Sequence, residues 1–290
     1  MTFLGIDENG FGPVLGPLVA TGVYASKDMD KCWPQWIADS KVVFVRNARG
    51  FAVIEGIALA LFFHAYHLVP ATPVQFLEKI GIVPCKEKVQ LCWDRLPHSF
   101  MWAGSDMVHN YIDKFREFFS AEGMQIKGVS SEIFCPKQFN EYCRKSFRKD
   151  LINFLLFEKL ILAGLAKNSE LSVQAGKIGG RKSYRDFILV RLADNITVEL
   201  ETDGRSSYRF TRNNTSVSLQ FIRDIEQHSL LGVLAGIFGK YVRELMMFSI
   251  NQSLTSAVPV SGYRDKNTTN LLRKLAAEGC IQNDCIVRIK

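Results

Sequence analysis

Short apolar runs alternate with polar breaks from the first residues onward. Phe3, Leu4 and Ile6 predict a brief buried strand, which the glycine-rich turn at Asn9, Gly10, Gly12 and Pro13 ends, and Pro17 to Tyr24 predicts a second strand returning to a core. Ile54, Ile57, Ala58, Leu61 and Phe62 recur at helical spacing, so residues 48–67 read as one buried helix. Four prolines, at 70, 73, 84 and 97, then break residues 70–110 into short pieces that read as an insertion. A helix over 111–119, a strand over 124–134, a strongly apolar helix over 150–166 and a short strand over 171–175 restore the alternation of an α/β layer. Residues 196–210 and 215–226 alternate as two strands, interrupted at Asp203-Gly204 and separated by residues 212–214. Helical patterns over 226–244 and 270–278 close the chain, which reads as one domain over 1–290 with an extra hairpin at 196–214 and a helical C-terminal part from 227.

Asp7 and Glu8 stand where the first strand meets its turn. Side chains in a regular strand alternate between faces, so this pair can converge on one point only where the pleat ends. Two carboxylates there suit a metal ion, and Gly10 and Gly12 let backbone amides approach a ligand. The same residues alone also suit a hairpin whose acids face water. Asp39-Ser40-Lys41 offers a helix cap in its first two residues and a phosphate contact in Lys41. His64 and His67 lack a third ligand in reach and read as ordinary helix residues. Seven cysteines, none in a Cys-x-x-Cys pair, indicate neither a disulfide framework nor a common zinc module, and Cys135 and Cys143 read as structural thiols.

The opening resembles that of type 2 ribonucleases H, whose first strand carries Gly-(Ile/Val)-Asp-Glu-Ala-Gly-Arg-Gly-Pro and then Gly-Pro-(Leu/Met/Val)-Val. Gly5 to Pro13 and Gly16 to Val19 match it, with Asn9 for alanine and Phe11 for arginine. Four later blocks continue the resemblance. Asp39-Ser40-Lys41 reproduces the family's triplet, and the strand ending at Cys135-Pro136 matches its third strand. Ala235-Gly236-Ile237-Phe238-Gly239-Lys240 with Arg243-Glu244 stands for Ala-Ser-Ile-x-Ala-Lys and Arg-Asp, and Ser261 to Thr268 is similar to Ser-Gly-Tyr-Pro-x-Asp-x-x-Thr with Arg264 for proline. The family's fourth acid lies fourteen residues before the lysine, which is Glu226 here. Its third lies eight before the tyrosine matched by Tyr184, and that place holds Gly176.

The resemblance implies a ribonuclease H-like α/β fold: a mixed five-stranded sheet, antiparallel in its first three strands, flanked by helices. It implies that Asp7, Glu8 and Glu226 are catalytic and approach one another to hold Mg²⁺ or Mn²⁺, for hydrolysis of RNA in RNA/DNA hybrids. The Gly10–Gly12 turn would meet the ribose 2′-hydroxyl and Tyr263 a deoxyribose, while Lys41, Arg181 and Lys240 would meet phosphates or brace the acids. Phe11 either stacks on a base or fills the core. With Gly176 in place of an acid the expected activity is reduced unless Glu199, Glu201 or Asp203 folds over the gap. A catalytically impaired nucleic-acid-binding module and a protein-interaction scaffold are the alternatives.

Charge favours an anionic partner, nucleic acid first and a merely solvated basic surface second. Thirty-six Lys and Arg against twenty-nine Asp and Glu leave 290 residues with a formal charge of +7. The 47% hydrophobic share suits a globular chain, and no apolar run reads as membrane-spanning. With no signal-peptide pattern and no disulfide framework, the expected location is the cytoplasm.

Overall fold

The computed structural model describes residues 1–84, 90–254, 259–277 and 285–289, so Cys85, Glu278 and Cys280 lie outside the described residues. Seven strands form one mixed sheet: β1 Thr2–Asn9, β2 Leu18–Ala25, β3 Ile126–Phe134, β4 Glu170–Gly176, β5 Asn195–Glu201, β6 Arg205–Arg212 and β7 Thr215–Ile222, in the spatial order β3-β2-β1-β4-β7-β6-β5. The first three pair antiparallel, and β1, β4 and β7 run parallel. The expected five strands become seven because Asp203-Gly204 reverses the chain inside the alternating run 196–210, making β5 and β6 a hairpin added to the edge of β7. This hairpin falls where the extra hairpin is expected over 196–214.

Strand alternation sets two cores. On β2, Val19 and Val23 face one layer while Leu18 and Ala20 face the other. The first layer holds α1 Ser40–Val43, α2 Ala48–Tyr66, α3 Pro73–Lys79, α4 Ser105–Ala121 and the long α8 Leu230–Ser253. The second holds α5 Pro136–Arg144, α6 Lys149–Leu165 and α7 Arg185–Arg191, and α9 Lys266–Ala277 follows near the C-terminus. Contrary to the sequence reading, α2 is long and apolar enough to cross a membrane by length and composition. Its apolar residues Ile54 to Phe62 are instead packed in the core against α4 and α8.

Helix α8 fixes the site because it crosses β1 and β2 and is buried nearly all round. Its N-terminus is anchored: Ser229 Oγ accepts from the Gly232 amide at 2.9 Å and donates to Asp28 Oδ2 at 2.6 Å, and the Leu231 amide donates to Asp28 Oδ1 at 3.1 Å. A single 3₁₀ turn, Ile225–Gln227, joins β7 to this cap and carries Glu226.

Candidate metal and nucleic-acid site

Three parallel strands end together at the mouth of the sheet, where a hollow of about 710 Å³ opens. Register explains the gathering. Ile6 pairs with Ala175 and Gly176 with Ile222, so Asp7, Gly176 and the turn carrying Glu226 are neighbours across the sheet. Asp7, Glu8 and Glu226 all line the hollow, together with Gly10, Phe11, Gly12, Lys41, Lys240 and Tyr263. Arg181 does not. Its guanidinium is held by Asp150 at 2.6 and 2.9 Å and lies 4.0 Å from the Phe187 ring, in a neighbouring basin. The expectation that Arg181 braces the acids is therefore corrected, because α6 places a carboxylate nearer to it.

Two further acids, Asp39 and Asp224, also line the hollow. Asp39 caps α1, its Oδ1 accepting from the Lys41 amide at 2.9 Å, while Lys41 Nζ stands 3.7 Å from both Asp39 and Glu226. Burial pushes Asp7 up to about 7, with the charge of Glu226 adding to the shift. Burial also holds Glu8 well above the usual carboxylate range, and next the charge of Asp7. Glu226 is raised by burial and by Asp39. Lys41 is raised: burial opposes its charge, but Asp39 and Glu226 outweigh it. The acids on the floor of the hollow are thus raised by burial and by one another, with Lys41 opposing both.

The Asp7 carboxylate is pinned between two glycines. A Cβ built on Gly176 would lie 2.8 Å from Asp7 Oδ1, and one on Gly236 2.7 Å from Oδ2. Both positions depart from the family pattern, aspartate at one and serine at the other, and both departures leave room for the same carboxylate. Asp7 occupies that room while Glu226 faces Lys41. Among the described residues no group of three His, Cys, Asp or Glu side chains is assembled to hold an ion. The expectation that Asp7, Glu8 and Glu226 close to bridging distance is corrected on this ground.

The hairpin acids are committed elsewhere. Tyr208 Oη donates to Glu201 at 2.5 Å, Lys182 pairs with Asp203 at 2.9 Å and Arg209 with Glu199 at 2.6 Å. None of the three lines the hollow. His64 Nε2 lies 3.0 Å from the Ile112 carbonyl, in keeping with a helix residue. On the opposite wall Lys240 meets Glu244 at 3.0 Å and lies 4.5 Å from the Phe44 ring, and Arg46 meets the same carboxylate at 2.8 Å. These bases hold buried Glu244 below its usual range despite its burial, so Lys240 is a braced cation.

The Gly10–Gly16 turn is held from beneath by a residue that no motif singles out. Arg288 donates from Nε to the Gly16 carbonyl at 2.8 Å and from Nη1 to the Gly10 carbonyl at 2.5 Å. Leu15 pairs with Val287 in an isolated bridge, so the C-terminal segment straps the turn. Nothing in local pattern links positions 10 and 288.

No protein-family model and no curated protein matches the sequence. Solved structures do. Ribonuclease HII of Archaeoglobus fulgidus, solved in complex with PCNA, is similar over 100% of this chain and 95% of that one, with a TM-score of 0.50 and 15% identity. The fold is that of the type 2 ribonucleases H. A point mutant of Bst-RNase HIII is similar over 99% of this chain and 66% of that one, with a TM-score of 0.50 and 12% identity. This ribonuclease H fold is what the motif blocks between residues 4 and 268 implied.

The donor set fits a hard divalent cation in kind, since every candidate ligand is a carboxylate oxygen and the acids are raised by burial first and then by one another's charge. Asp7 and Glu8 offer two such donors side by side, with Glu226 and Asp39 across the hollow. Asp39 was legible only as a cap, and Asp224 carried no motif at all.

Proposed function

We infer that the chain binds RNA/DNA hybrid across this hollow and hydrolyses the RNA strand slowly, with Asp7, Glu8 and Glu226, apart in the structure, drawn together around Mg²⁺ or Mn²⁺ when the ion binds. The observation that supports this reading is the convergence of raised, half-buried acids at the ends of parallel strands, an arrangement that is costly without a cation to complement it. A bound divalent ion supplies an activated water and stabilises charge on the scissile phosphate. The chain's own residues do the rest. The Gly10–Gly12 backbone, strapped by Arg288, faces the ribose 2′-hydroxyl, and Lys41 and the braced Lys240 meet phosphates. Tyr263, exposed at the rim with Arg243 5.2 Å from its ring, stacks on the sugar beyond the cut.

Gly176 favours a second reading, a binding module without turnover, because no hairpin acid fills its place. The deciding experiment is Mn²⁺-dependent cleavage of a labelled hybrid, beside hybrid binding, for the parent chain and Asp7→Asn. Slow cleavage by the parent that falls to background in Asp7→Asn, with hybrid binding kept, is the expected result. A parent that binds but never cuts leaves the binding module, and one that does neither removes both readings.

A further inference from the structure

A second hollow, of about 610 Å³, adjoins the first, and both are lined by Phe11 and Gly179. Its lining carries Arg148, Lys149, Arg181 and Lys182 against a single carboxylate, Asp150. That carboxylate is already shared, with Arg181 at 2.6 Å and Arg148 at 3.0 Å, and Lys182 meets the hairpin's Asp203 at 2.9 Å where both are exposed to water, so Arg181 serves as wall and four bases against two acids leave the basin an excess of positive charge. Arg148 is also the N-cap of the seventeen-residue α6 and makes no side-chain cap hydrogen bond, so the positive end of that helix adds to the same field. Gly179 and Gly180 put no side chain over the basin, and the Phe11 ring lies half-buried on Gly179 at the ridge between the two hollows.

We propose that this basin binds a single-stranded extension running off the hybrid, with Phe11 stacked on the first unpaired base and the phosphates following Lys149 and Lys182. The proposal rests on the hybrid-binding reading above and adds a substrate preference to it. Bases inside a duplex are already stacked on their neighbours, so an aromatic ring beside the groove finds a free face only where pairing stops. A basic hollow continuous with that ring fits the strand that leaves the duplex there. Where the family pattern has an arginine to grip a phosphate, Phe11 turns the same position into a stacking platform and the phosphate contacts shift to the basin.

Lys149 and Lys182 are exposed, so replacing them leaves the fold intact. The test is fluorescence anisotropy in metal-free buffer at several salt concentrations. It compares a blunt RNA/DNA hybrid with the same hybrid bearing a six-nucleotide single-stranded tail, for the parent and for Lys149→Gln/Lys182→Gln. The parent should bind the tailed hybrid about tenfold tighter, a stacking gain on Phe11 that is realised only where Lys149 and Lys182 hold the strand against the ring. The double variant should lose that preference and keep blunt-hybrid affinity, and its salt slope on the tailed hybrid should fall by about 1.4, the value for two single-strand phosphate contacts. Equal affinity of the parent for both hybrids, or a preference that survives the double variant, overturns the basin while leaving hybrid binding intact. Failure to bind either hybrid overturns both.

Discussion

Asp7 and Asp150 sit on the floors of adjoining hollows and are shifted in opposite directions. Burial drives Asp7 up to about 7 among like charges, whereas Asp150, against its partial burial, is held below its usual range by Arg181 first. In the first hollow five carboxylates and four bases meet, but of Lys41, Lys177, Arg223 and Lys240 it is Lys41 that pairs with those carboxylates among the described residues, while Lys240 is turned to Glu244. In the second, four bases line the basin with one acid, Asp150, which Arg148 and Arg181 share. The difference lies in what each hollow lacks: a cation in one and anions in the other. A divalent ion and a phosphate backbone are the complements of that deficit.

The largest test of this contrast is Gly176→Asp. It returns a family carboxylate to the acid hollow, but the new Cβ would press on Asp7 Oδ1, whose displacement toward the centre of the hollow relieves the contact. Without metal the variant should lose about 1–3 kcal/mol of stability, from crowding and added like charge. With Mn²⁺ it should bind the ion about tenfold tighter than the parent and cut hybrid faster. Isothermal titration and thermal melting measure the two sides separately. Unchanged Mn²⁺ affinity would mean that a third acid at this place is not what the hollow lacks.

The sheet was largely legible because burial and alternation coincide on β1, β2, β3, β4 and β7, where each face meets a core. Strand β5 carries almost no buried residue, so only its turn at Asp203-Gly204 betrayed it. In the site, Asp7, Glu8, Glu226 and Lys240 were readable from spacing matched to a known pattern. What that pattern does not carry is distance. Arg181 and Lys41 both looked like bases near phosphates, yet α6 supplies Asp150 to one while Asp39 and Glu226 face the other. Arg288 was invisible because its role depends on a strap formed across nearly the whole chain.

A smaller effect should appear in the dependence of stability on pH. Asp7, Glu8 and Glu226 have folded-state values above their unfolded ones, so the folded chain binds more protons than the unfolded chain as pH rises from about 4 toward 7. Their contribution to stability therefore falls across that window. Asp150 and Glu244 are shifted downward and pull the other way, at lower pH. The informative quantity is the difference between the parent and Asp7→Asn. In metal-free buffer Asp7→Asn should gain a few degrees of Tm over the parent between pH 5 and 7.5, and Mn²⁺ should close that gap by stabilising the parent alone. A gap that narrows as pH rises without metal would show that Asp7 is already compensated.

The smallest expected effect concerns the acids that could have replaced the missing ligand. Glu201 accepts from Tyr208 Oη, and the same Tyr208 oxygen accepts the amide of Tyr184, whose ring stacks on Phe221 at 3.7 Å. Glu201 thus belongs to the packing of the hairpin against β7, and Glu201→Gln should cost about 1 kcal/mol of stability, since the amide oxygen still accepts but without charge. Asp203 pairs with Lys182 where both are well exposed to water, so Asp203→Asn should leave the melting temperature unchanged within error. Neither substitution should alter Mn²⁺ affinity or hybrid cleavage, because neither side chain lines the acid hollow. Asp203→Asn should, however, free Lys182 for the basin and raise affinity for tailed hybrid slightly at low salt, an effect absent on blunt hybrid. Loss of metal binding or cleavage in either variant would show that the hairpin folds over Gly176 when substrate is present, joining the two regions that the structure keeps apart.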